Sequence, residues 1–253
     1  MSIGLADSFR RTWRAFGFER AEDAASHKTG NQIQPSPQPQ TTELRTNLAP
    51  LLFEKVQVEQ QLVVLNIGLA TAATVELFSS FKCKLIFVDL YSDPLLEGLY
   101  SAEGSILTEG TDSSPTHQQL VEGFSKALNL DSHTKIDICL FWDFFNYLDG
   151  TLLKAFIEAL HPHISDSTCG YGLGVLNGRR QLPNYEYGLK RLDTLSQCPR
   201  DGEQKPIYPH SQRDLNNLLG YFNIDKSRLM PDGRVEYLLS QGVESKFVKK
   251  SVF

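Results

Sequence analysis

The clearest alternation of apolar and polar positions begins at Leu62. An apolar run, Leu62 to Leu65, stops at Asn66-Ile67-Gly68, a small-residue turn follows, and Val75, Leu77 and Phe78 fall at helical spacing before a second apolar run ends at Asp89. This pattern predicts a strand, tight turn, helix, strand unit. After it, Tyr91 to Tyr100 reads as a turn and short helix, and Ser105 to Thr108 as a brief edge strand. Pro115 to Leu130 predicts a helix with Leu120, Val121, Phe124, Ala127 and Leu128 inward. Lys135 to Phe141 is then a buried strand, Trp142 to Tyr147 a loop at its C-terminal end, and Leu148 to Leu160 a helix closed by His161-Pro162. Cys169 to Leu176 is a glycine-rich apolar strand whose glycines admit close approach of a neighbour.

From Asn177 to Pro209 the chain is polar and irregular, with Tyr185, Tyr187, Leu189 and Leu192 marking an added extended segment that would cover the C-terminal edge of the sheet. Ser211 caps a further helix, and Ile224 to Met230 with Val235 to Ser240 predict a β-hairpin around Pro231-Asp232-Gly233. Upstream, the stretch Leu44 to Glu59 reads as containing a helix leading into the sheet, with Pro50 near its first turn. Residues 27–42 are rich in Gln, Pro, Ser and Thr and predict a flexible linker. In residues 1–26, Leu5, Phe9, Trp13 and Phe16 at helical spacing among Arg10, Arg11, Arg14 and Arg20 predict an amphipathic basic helix. The expected organisation is therefore helix 1–26, linker 27–42, an α/β domain over 43–242, and a tail, 243–253.

Composition narrows the partners. A length of 253 residues with 41% hydrophobic content suits one α/β domain with an appendage. The net charge of −5 argues against a general nucleic-acid binder, because phosphate neutralisation needs a dense Lys/Arg surface. A small-molecule or protein acceptor is expected, and residues 5–20 offer a surface for a protein partner or a membrane. Cys83, Cys139, Cys169 and Cys198 lie far apart and read as thiols of a reducing compartment. With no long apolar run and no signal-peptide core, the chain is placed in the cytoplasm. His161 and His163 lack an evident third ligand, so no metal site is predicted.

The first unit also carries the candidate chemistry. Gly68, Ala70 and Ala73 keep side chains out of the turn, so that backbone N–H groups can approach a ligand. Asp89, about 20 residues on, sits where an open parallel sheet places an acid against ribose hydroxyls. The residues propose a nucleoside site.

Four segments, VVLNIGLAT, IFVDL, IDICLFWDFFNYLDGTLLKAFIEALHPHI and RLMPDGRVEYLL, occur in an order that resembles the class I S-adenosylmethionine-dependent methyltransferases over roughly residues 44–241. The resemblance implies a Rossmann-like α/β fold, a seven-stranded and mostly parallel sheet with a C-terminal antiparallel β-hairpin and helices on both faces. Where the family reads D-x-G-x-G-x-G, this chain has Asn66, Gly68, Ala70 and Ala72, a degenerate form of the motif. Carried over by position, Asn66, Gly68 and Ala70 would line the cofactor loop, Asp89 would accept both ribose hydroxyls, and Glu109 or Asp112 would approach the adenine. Trp142 would border the cofactor, with Asp143, Asn146 and Tyr147 beside the transferable methyl. The N-x-P-P-Y motif of amino-group methyltransferases is absent, so no nitrogen acceptor is implied.

Three functions are consistent with these residues. The first is a methyltransferase using S-adenosyl-L-methionine on an unknown acceptor. The second is a catalytically inactive methyltransferase-like interaction domain. The third, an NAD(P)-dependent oxidoreductase, draws on Gly68-x-Ala70-x-x-Ala73 with Asp89, but the chain lacks a Tyr-x-x-x-Lys pair and ends in a hairpin.

Overall fold

The computed structural model describes residues 40–54, 61–104, 115–176, 184–202 and 204–241. The expected helix 1–26, most of linker 27–42, the tail, the strand at Ser105 to Thr108, and Glu109 and Asp112 lie outside these residues. Residues Thr41–Phe253 belong to one compact unit. In chain order its strands and α-helices are β1 (Thr42–Arg45), β2 (Leu62–Ile67), α1 (Ala72–Phe78), β3 (Cys83–Val88), α2 (Pro94–Gly104), α3 (His117–Leu128), β4 (Ile138–Trp142), α4 (Gly150–Leu160), β5 (Cys169–Val175), β6 (Tyr185–Arg191), β7 (Thr194–Pro199), α5 (Gln212–Leu218), β8 (Phe222–Leu229) and β9 (Arg234–Gln241).

Among the described residues the main sheet has six strands in the order β3-β2-β4-β5-β9-β8. Strands β3, β2, β4 and β5 pair in parallel, whereas β9 runs antiparallel to both β5 and β8. Five of the six strands therefore point the same way and β9 alone is reversed. This is a Rossmann-like, mostly parallel sheet with a closing hairpin, as the chain order predicts, with six strands against the seven expected; the remaining expected strand, Ser105 to Thr108, lies outside the described residues. β2 and β4 are central because their Val, Leu, Ile and aromatic side chains can be buried on both faces.

One face is covered by helices. Leu96 of α2, Leu120 and Phe124 of α3, Leu153 and Phe156 of α4 and Leu215 of α5 pack onto Leu65, Cys139 and Phe141. Helix starts are locally encoded: Thr116 and Ser211 each form a capping box, and the Asp149 carboxylate accepts from the N–H groups of Thr151 and Leu152. The other face is covered by α1, by a 3-10 turn at Ala49–Phe53, and by a second, antiparallel sheet of order β1-β7-β6. The extended segment expected near Tyr185 is thus one strand of a hairpin.

Of the helix expected within Leu44 to Glu59, the described residues show the short 3-10 helix Ala49–Phe53, with Pro50 in its first turn, and residues 55–59 lie outside them. Ahead of it, Thr42–Arg45 pairs with β7 as a strand. Glu236, 1% exposed on β9, accepts from the Thr46 hydroxyl (2.6 Å), the Tyr171 hydroxyl (3.1 Å) and the N–H groups of Asn47 and Leu48. A buried carboxylate with this many donors fixes the backbone between the strand and the 3-10 helix. No cysteine is in a disulfide, and Cys139 alone is fully buried. Among the described residues no helix is long and apolar enough to cross a membrane.

Candidate functional site

The order β3-β2-β4 means that the chain leaves β2 in one direction and returns on its other side. That reversal opens a crevice beyond the C-terminal ends of β2 and β4, where open α/β sheets take their ligands. Ile67, Gly68, Asp89, Tyr91, Trp142, Asp143, Phe144 and Tyr147 line it from the main sheet, and Tyr185, Glu186, Tyr187 and Arg200 from the β6–β7 hairpin.

Gly68 ends β2 with its N–H on the Val88 carbonyl (2.8 Å) and a φ of +147°. A side chain there would be strained, although the space beside it is ordinary. Asn66 does not face the crevice as a free group: its amide donates to the carbonyls of Gly68 (3.1 Å) and Leu69 (3.3 Å), and its Oδ1 accepts from Trp142 Nε1 (2.9 Å). Trp142 holds a left-handed φ of 51° at the point where β4 loses register with β5, and its ring stacks on Tyr187 at 5.7 Å. Left-handed backbone at a bulky residue costs energy and concentrates at functional clefts.

Asp89, at the end of β3, pairs through Oδ2 with Arg200 Nη2 at 2.7 Å. Its Oδ1 is buried and has no hydrogen-bond partner among the described residues. Arg200 also lies 5.0 Å from the Tyr91 ring centre and 3.9 Å from the Glu186 carboxylate.

Asp143 is 6% exposed and accepts through Oδ2 from the hydroxyls of Tyr147 and Tyr187, both at 3.1 Å. Tyr187 in turn accepts from Arg234 Nη1 at 2.7 Å, and Arg234 also binds Asp232 and Gln197. Burial pushes the Asp143 carboxyl up to about 6, against the hydrogen bonds from Tyr187 and Tyr147 and the charge of Arg234, which pull it down. Burial and the Asp143 charge raise both Tyr147 and Tyr187 well above the usual phenol range. Both tyrosines stay protonated and donate to Asp143, and Tyr187 also accepts from Arg234. Arg234 is penalised by burial, yet Tyr187 and Asp232 hold its guanidinium above its ordinary value.

The structure thus brings together Gly68, Asp89, Trp142, Asp143 and Tyr147 of the residues expected at a site. It does not bring Asn146 or Ala70. Asn146 is a framework residue, its amide donating to the carbonyls of Asp143 and Leu173 and its Oδ1 accepting from the Val175 N–H. Ala70 is exposed and lies outside the crevice lining. Of the two histidines that follow α4, His161 stacks on Tyr221 and His163 Nδ1 meets the Thr134 carbonyl. The residues that sequence reasoning missed are Tyr91, Glu186, Arg200 and Arg234. The alternation of Tyr185, Tyr187 and Leu189 signalled the strand that carries Glu186, whereas nothing local marks Arg200.

For an adenosyl cofactor the donor set fits and the present space does not. The unpartnered Asp89 oxygen is suited to a ribose hydroxyl. The crevice, with its open mouth, has about 350 Å³ of empty space, but the part that a water molecule's centre can reach is about 20 Å³. That is room for one water, against the roughly 300 Å³ or more of a small-molecule pocket. Strand β6 also closes the turn before α1: a Cβ on Gly188 would lie 2.3 Å from Thr71 Oγ1, and the Leu189 N–H donates to Thr74 Oγ1 at 3.1 Å.

No family model matches the chain, and no curated protein matches it. Solved structures similar to it include an S-adenosylmethionine-dependent methyltransferase from Clostridium acetobutylicum, 19% identical over 72% of this chain and 84% of that one, with a TM-score of 0.35. A second, from Methanosarcina mazei, is 15% identical over 77% of this chain and 98% of that one, at 0.43. A third, the 1,6-didemethyltoxoflavin-N1-methyltransferase of Burkholderia thailandensis with S-adenosylhomocysteine bound, is 15% identical over 77% of this chain and 76% of that one, at 0.39. Similarity at this level says nothing about activity, and the fold class rests on the strand order itself.

Proposed function

We propose that this chain is an S-adenosylmethionine-dependent methyltransferase of unassigned acceptor, with its cofactor site in the switch-point crevice. The observation that carries this reading is Asp89, whose buried and unpartnered Oδ1 lies in the same crevice as Gly68 and Asp143. The cofactor, when bound, supplies an electrophilic methyl group on a sulfonium. Asp89 would hold the ribose, and the glycine backbone at position 68 would leave room for the chain above it. Trp142, Tyr91 and Tyr147 would exclude water from the reacting centre. Asp143, ionised above pH 6, has the charge and the position to accept a hydrogen bond or a proton from an acceptor, while Tyr147 and Tyr187 fix its carboxylate.

A second reading, a catalytically inactive domain of the same fold, is favoured by one observation: Arg200, Tyr187 and Trp142 fill the crevice, and Asn66 spends its side chain on internal bonds. Thermal-shift titration of the full chain with S-adenosylmethionine, S-adenosylhomocysteine and NADPH separates the readings. The methyltransferase reading expects a concentration-dependent rise in melting temperature with the first two, lost in Asp89→Ala. No rise with either, at concentrations up to about a millimolar, leaves the inactive reading. A rise with NADPH alone points to the oxidoreductase.

A further inference from the structure

We propose that this crevice is a recognition site for the protonated head of a slender primary amine. The inference goes beyond the cofactor reading and needs none of its ligands, because it uses only the space already present. Three carboxylates line the crevice, Asp89, Asp143 and Glu186, against one guanidinium, Arg200. Arg200 is spent on two of them, at 2.7 Å from Asp89 and 3.9 Å from Glu186. Arg234 reaches Asp143 through the Tyr187 hydroxyl rather than directly, and is itself paired with Asp232. With Asp143 ionised, the lining therefore carries more negative than positive charge.

Acceptors are left over as well. Asp89 Oδ1 is buried and has no hydrogen-bond partner among the described residues. The two hydroxyls that meet Asp143 both fall on Oδ2, whereas an ionised carboxylate has about four acceptor positions. The remaining walls include the rings of Tyr91, Trp142, Tyr147 and Tyr187, whose electron-rich faces attract cations. This chain's own cations already use two of them: Arg200 and Lys205 each lie 5.0 Å from the Tyr91 ring centre, and Arg234 lies 5.7 Å from that of Tyr187. Size then selects among cations. The space that a water molecule's centre can reach is about 20 Å³, room for one water. An ammonium head has about that bulk and three donors to spend on the free acceptors. Its alkyl chain would leave by the open mouth, where the lining residue Leu69 is 41% exposed.

The chain has two tryptophans, Trp13 and Trp142, so its indole N–H region gives two NMR signals, and Trp13→Phe identifies that of Trp142. This N–H bonds to Asn66 at the crevice wall and reports on what enters. The full-length, 15N-labelled protein is titrated with n-butylammonium chloride at constant chloride and at pH 7.5, where Asp143 is ionised. The Trp142 signal is expected to move saturably. n-Butanol, of the same length without the charge, and tetramethylammonium, too wide for a one-water space, are expected to leave it in place. Asp143→Asn and Asp89→Asn are each expected to weaken the response at least about tenfold, the worth of one charged hydrogen bond. Nα-acetyllysine methylamide distinguishes the sources of such a head: a tighter response than to n-butylammonium assigns a lysine side chain, a weaker one a free amine. A Trp142 signal that stays still, or that follows n-butanol or tetramethylammonium equally, overturns the proposal, as does a response unchanged in both variants. If neither variant folds, the wild-type comparison of n-butylammonium with n-butanol decides.

Discussion

Asp143→Asn isolates the energetic consequence of burying a carboxylate at the crevice floor. The substitution keeps the size of the side chain and retains an oxygen that can accept from Tyr147 and Tyr187, while removing the charge. In the folded protein the carboxyl titrates at about 6, against an ordinary value of 3.8. The native state therefore binds a proton more readily than the unfolded chain, and between these two values folding stability falls as pH rises. Below about 3.8 the penalty is absent, and above about 6 it is fully present. The span of roughly two pH units at about 1.36 kcal/mol each sets the size at about 3 kcal/mol. Urea unfolding of wild type and Asp143→Asn from pH 4 to pH 7.5 gives the two stabilities, and other titrating groups cancel in their difference. Wild-type stability minus variant stability is expected to drop by about 2 kcal/mol between pH 4 and pH 7 and then level off, the remainder lying below pH 4. A difference that is flat, or that grows with pH, refutes the burial account and means that the Arg234–Tyr187 network outweighs desolvation.

Glu236→Gln replaces an acceptor-only group with one that sets an amide donor against the donors of Thr46, Asn47, Leu48 and Tyr171. A loss of about 2–4 kcal/mol in denaturant unfolding is expected, with no change in the pH profile of Asp143. Gly188→Ala would drive a methyl group into Thr71 Oγ1, the side chain that caps α1, and into Ser196 Oγ at 2.7 Å. About 1–3 kcal/mol of destabilisation is expected, together with faster hydrogen exchange at the Leu189 amide, which bonds to Thr74.

The centre of the sheet was legible in the chain because β2, β4 and β5 are buried on both faces, so that Leu62 to Leu65, Ile138 to Trp142 and Cys169 to Val175 are apolar or glycine stretches between turn signals. The positions of Gly68 and Asp89 were legible because each stands just past the end of a strand run. Glu236 shows the limit. Nothing near Thr46 announces that a carboxylate some 190 positions away accepts from its hydroxyl and from the Leu48 N–H. Arg200 was hidden in the same way. A basic residue in a polar stretch looks solvated until the hairpin folds over and sets it against Asp89. Asn146 failed in the opposite direction: its position at the end of β4 suggested chemistry, and its buried side chain ties β4 to β5 instead. Long-range partners decide these cases, and a single chain does not display them.

A crystal structure of the protein grown with S-adenosylhomocysteine bears most directly on the proposed site. The account predicts density for the nucleoside at the ends of β2 and β3, with its ribose hydroxyls on the Asp89 carboxylate. Nucleoside density elsewhere, or none at saturating ligand, would contradict it.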